Sequence, residues 1–120
     1  MMKSKLTFSV SGIARDNPLY ELVNEAHQML DKEMSPLAGE VREEWSVAKD
    51  PNDRTMVVLN LSDNFNARVE AKIEPEELAN PREMRYLVLQ AWGDLFGDRA
   101  ENQLRTLRDS NKEEGAANGS

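Results

Sequence analysis

The chain holds a single histidine, His27, and no cysteine among its 120 residues, so few side chains are able to do covalent or proton-transfer chemistry. Without a thiol there is no thiolate nucleophile, no disulfide and no cysteine-ligated zinc or iron–sulfur cluster. A Ser-His-Asp arrangement would have to run through His27. That residue falls on the flank of an apolar helical stripe with no placed nucleophile, and its expected role is structural. Glu21 with Glu25 and Asp94 with Asp98 offer carboxylate pairs one helical turn apart. In a chain with 22 acidic residues such spacing arises by chance and reads as a solvated helix face. Asp50-Pro51-Asn52-Asp53 has the acid content of a calcium loop, but Arg54 and Thr55 stand where that loop needs a ligand and a glycine. A reversing turn is expected there instead. Gly93 and Gly97 have the spacing of a membrane helix-pairing motif with Asp94 inside it, which points to close packing or a helix end. No glycine-rich phosphate loop is present. The expectation is a protein that is not an enzyme and takes no cofactor or metal.

The elements that must position these residues follow from periodicity. Leu6, Phe8 and Val10 alternate with Thr7, Ser9 and Ser11, which predicts a strand with one buried face. Asn17-Pro18 reads as an N-cap and first helical residue. Leu19, Leu22, Val23, Ala26 and Leu30 then fall at helical spacing, and Ser35-Pro36 with Gly39 end the helix near Met34. Three strands follow at short spacing: Val41, Glu43, Trp45 and Val47 share one face of the first. Val57, Leu59 and Leu61 line the second, and Phe65, Ala67, Val69, Ala71 and Ile73 the third. The short connections predict an antiparallel meander. A helical region starts at Pro75 and restarts at Asn80-Pro81, with Met84, Leu87, Val88, Ala91, Trp92 and Leu95 as its apolar stripe. Gly97 is expected to end or bend it ahead of Ala100, Leu104 and Leu107.

The predicted fold class is therefore α+β, in the order β-α-β-β-β-α(α). A mixed three- to four-stranded sheet carries helices on one face. The long stretch between the first two strands permits them to lie parallel. Residues 1–109 form one domain, and residues 110–120, without an apolar anchor, are expected to be a disordered tail.

Hydrophobic residues make up 39% of the chain and charged residues 31%, enough apolar content for a core without outside help. The apolar stretch after Lys3 and Lys5 is broken by Thr7 and Ser9, unlike a secretion signal, and no segment approaches the roughly 20 apolar residues of a membrane span. With no cysteine, a cytoplasmic location is expected. The net charge of −7 is concentrated: residues 16–44 hold eight acids and two bases. Glu21, Glu25 and Glu33 belong to this segment and are candidates for contact with a basic protein partner. The outer face of the sheet carries Arg42, Arg68 and Lys72 among polar residues, and the last helix carries Arg105 and Arg108. These five bases are the candidates for an anionic ligand.

The order and lengths of the elements from about Leu6 to Arg108 resemble those of the ribosome hibernation-promoting factors. Val10-Ser11-Gly12 leaves the first strand, Leu19-Tyr20-Glu21-Leu22-Val23 opens the first helix, and a long amphipathic helix follows the meander. The resemblance implies a strand, a helix, three strands and a helix, with ribosomal RNA bound through basic residues on the helices. Here the first helix departs from that pattern, with Glu21, Glu25, Asp31 and Glu33 against Lys32. Binding of a protein partner through the acidic helix is thus the leading expectation, and association with RNA or the ribosome the second.

Overall fold

The computed structural model describes residues 5–34, 40–64 and 66–118, with side chains at 5, 33, 34 and 110–118 outside the description. Its elements run β1 (Lys5–Val10), α1 (Pro18–Met34), β2 (Glu40–Lys49), β3 (Thr55–Asp63), β4 (Arg68–Ile73), α2 (Pro75–Ala79) and α3 (Pro81–Asn118). The four strands form one mixed sheet in the order β1-β2-β3-β4. β1 lies parallel to β2, with Leu6 beside Val41 and Val10 beside Trp45, and the two later pairings are antiparallel.

Each turn is built from the residues that the sequence places there. The Asp50 carboxylate accepts the backbone N–H groups of Asn52 and Arg54, both at 2.8 Å, and Asp53 takes φ 61°. That is turn chemistry rather than a cation loop. Asn66 takes φ 61° between β3 and β4, a left-handed conformation that asparagine tolerates better than most residues. The last strand starts at Arg68 rather than at Phe65, which itself lies outside the described residues. Ala67 is spent on the turn, donating its N–H to Asp63 Oδ1 at 3.0 Å.

Asn17 caps α1, its side-chain oxygen 2.9 Å from the Leu19 nitrogen, with Pro18 at the first helical position. Asn80 does the same for α3, accepting from Arg82 and Glu83. The core lies between the helices and one face of the sheet. It joins Val23, Ala26 and Leu30 of α1 to Val41 and Trp45 of β2, Leu59 and Leu61 of β3, and Val88, Trp92 and Leu95 of α3.

Gly97 does not end the last helix. α3 continues through it to Asn118, and no change of secondary structure marks the expected boundary at residue 109. A glycine inside a helix costs about 1 kcal/mol. Here that is offset because the helix is held on both sides of Gly97, by buried Leu95 and by Asp98, whose carboxylate accepts the Arg68 N–H at 2.9 Å. Beyond Asn102 the helix leaves the core: residues 103–109 are all exposed, including Leu104 and Leu107 at 53% and 60%. Among the described residues no helix is long and apolar enough to cross a membrane.

Candidate functional site

α1 turns Val23, Ala26 and Leu30 inward, so the opposite side of the helix is left to solvent. Glu21 and Glu25 stand there one turn apart, with Gln28, Asp31 and Lys32 exposed further along. Neither Glu21 nor Glu25 makes an ion pair or side-chain hydrogen bond among the described residues. The side chain of Glu33, the third acid expected on this surface, lies outside them.

Beneath α1 sits a polar group at a position that strand parity assigns to the core. Glu43 of β2 is completely buried on the apolar face of the sheet. One carboxylate oxygen lies 2.7 Å from His27 Nδ1, and the other accepts the indole N–H of Trp45 at 2.5 Å. Phe8 of β1 stacks on the His27 ring, with centroids 3.9 Å apart and planes 16° from parallel. Burial pushes the Glu43 carboxyl above its ordinary range. The hydrogen bonds from Trp45 and His27 and the charge of His27 oppose that rise, and Asp31 adds to it.

His27 is thus held by a carboxylate, the orienting half of a proton-transfer chain. Among the described residues no hydroxyl bonds to its ring. The signal for this pair was available in part: an acid at an inner-face position of β2, between Val41 and Trp45. Its partner, 16 residues away, could be named only once α1 was docked.

A test of this arrangement follows from linkage. The folded state raises the Glu43 pKa above the unfolded value of about 4.5. Its contribution to stability is then fully present below that value and lost as pH rises through the folded pKa. Glu43→Gln keeps an oxygen for Trp45 and offers an N–H to His27 Nδ1, while removing the titration. Its unfolding free energy should therefore gain on that of the wild type as pH rises from 4 to 8. A difference that stays flat across this range would refute the assignment.

The basic candidates do not join the acidic ones. Arg42, Arg68 and Lys72 are exposed on the outer face of the sheet, which lies across the core from α1. Arg105 and Arg108 lie on the stretch of α3 beyond the core. Arg105 there lines an open groove of ≈ 810 Å³ with Asn66, Asn102 and Leu107. The two other carboxylates considered, Asp94 and Asp98, also separate: Asp94 is exposed, while Asp98 is half-buried and bonded to β4. Among the described residues no cluster of three or more His, Cys, Asp or Glu could hold a metal ion. Comparison with family models, curated proteins and solved structures finds no match for this chain.

Proposed function

We propose that this chain is a non-catalytic binding protein that engages a basic protein partner through the exposed side of α1, in a cytoplasmic setting. The observation that carries this reading is the pair Glu21 and Glu25, exposed and with no cation paired to either among the described residues, on a helix that the sheet separates from Arg42, Arg68 and Lys72. Exposed acids on a capped helix attract a positively charged surface over roughly a Debye length, about 8 Å at physiological salt. Such charges govern the rate of encounter more than the final affinity.

The second reading is association with RNA or the ribosome. It is supported by the resemblance of the element order to hibernation-promoting factors and by the position of Arg42 and Arg68 on a sheet face that none of the described helices covers. Fold likeness alone does not carry a ligand from one protein to another.

The two readings predict opposite outcomes in a capture experiment from the protein's own cell extract at low and moderate salt. With Glu21 and Glu25 replaced by glutamine, association with a captured basic protein should slow at least threefold at low salt, and the effect should shrink as salt is added. Replacing Arg68 and Lys72, or Arg105 and Arg108, with glutamine should leave that association unchanged. Ribosomal co-sedimentation that is salt-sensitive and lost in the arginine variants would reverse the conclusion in favour of RNA.

A further inference from the structure

The charges on the outer face of the sheet are ordered in rows. Cross-strand pairing places Arg42, Ser62 and Arg68 in one line across β2, β3 and β4. Glu44, Asn60 and Glu70 make the next line. Successive rows on one face stand two residues apart along a strand, about 7 Å. All four charged side chains are exposed, and none makes an ion pair or side-chain hydrogen bond among the described residues. These two rows therefore hold two bases and two acids in adjacent parallel lines, none of the four paired among the described residues.

This pattern is complementary to itself. Consider a two-fold axis that runs parallel to the rows, above the face and midway between them. Rotation about it lays the basic row of one copy over the acidic row of another and keeps every residue on its own strand position. Arg42 then meets Glu44 of the second copy, Arg68 meets Glu70, and Ser62 meets Asn60, each contact occurring twice, as a closed two-fold interface requires. We infer that this face binds a second copy of the chain, forming a two-fold dimer of sheets.

A polyanion fits the same face less well. A phosphate seated on the arginine row would lie about 7 Å from the glutamate row, within the screening distance at physiological salt. Four strands about 4.8 Å apart give these rows and their neighbours a footprint on the order of 400 Å² per copy. That is about half the area per partner of a standard stable interface, so the dimer is weak and depends on concentration and salt. In it both copies of α1 point outward. The inference is independent of what α1 binds.

Sedimentation equilibrium in low salt, with protein up to about 0.5 mM, tests it. The wild type should dimerise, and added salt should dissociate it. Arg42→Glu with Arg68→Glu makes both rows acidic, and Glu44→Arg with Glu70→Arg makes both basic. Each variant alone should associate at least tenfold more weakly than the wild type, because like charges now oppose across the interface. An equal mixture of the two should associate again, a result that neither damaged folding nor another interface produces. A wild type that remains monomeric at 0.5 mM, variants that dimerise as the wild type does, or a mixture that fails to associate while circular dichroism shows both variants folded would each overturn the inference.

Discussion

Replacing Trp92 with alanine should remove on the order of 3–5 kcal/mol of folding free energy. Trp92 is fully buried on the stripe of α3 that also carries Val88, Ala91 and Leu95, and it meets Phe96 edge to face at 5.5 Å between ring centroids. An alanine leaves a cavity under the whole helix layer, and the helix backbone is not free to collapse into it. The indole nitrogen finds no acceptor among the described residues. No hydrogen bond among the described residues is therefore lost when the ring is changed, and Trp92→Phe should cost much less than Trp92→Ala. Denaturant midpoints measured at unchanged slope would give both values. If the alanine variant unfolds at nearly the wild-type midpoint, α3 does not cover the sheet as described.

Arg99→Ala should be comparably damaging, for an electrostatic reason. The Asp63 side chain is completely buried, and Arg99 Nε lies 2.5 Å from its Oδ2. The same guanidinium sits 4.9 Å from the centre of the Phe96 ring. Asp63 Oδ1 is already engaged by the Ala67 N–H, so the carboxylate both shapes the β3–β4 turn and fastens α3 to it. Removing one member of a buried ion pair strands the other charge away from water, which typically costs about 3–5 kcal/mol. Lysine should rescue only part of the loss, since it cannot reproduce the planar guanidinium over the ring. Adding Asp63→Asn to Arg99→Ala should recover stability, because the stranded charge is then absent. A double-mutant cycle with no coupling between the two positions would contradict this account.

Local signals in the sequence were enough for most of the fold. The period-two patterns of β1 to β4, the caps Asn17-Pro18 and Asn80-Pro81, and the turn at Asp50 depend on residues within a few positions of one another, and each was readable. Gly97 misled because its cost to the helix is local while the compensation is tertiary, through Leu95 and Asp98. The chemistry under α1 was only half legible. Parity put Glu43 on the inner face, but its partners follow from how a helix docks on a sheet, and His27 showed no sign of the contact. Asp63 and Arg99 are 36 residues apart, and nothing local to either marks the pair. The charge rows on the outer face needed the exact strand register, because a slip of two residues in one strand would place acids beside bases.

The parallel pairing of β1 with β2 also sets the order in which the sheet can assemble. In the two hairpins, paired residues start 6 positions apart, Lys49 with Thr55 and Ser62 with Arg68, so each pair can close on the one before it. Every β1–β2 pair, from Lys5 with Glu40 to Val10 with Trp45, spans the same 35 positions. Closing the first such contact costs about 1.6 kcal/mol more in chain entropy than closing a six-residue loop, and no shorter β1–β2 pairing precedes it. β1 is therefore expected to join late, together with α1, after the meander. The same asymmetry predicts that β1 is the strand released first, with its exchange between two chains as the expected misfolding route.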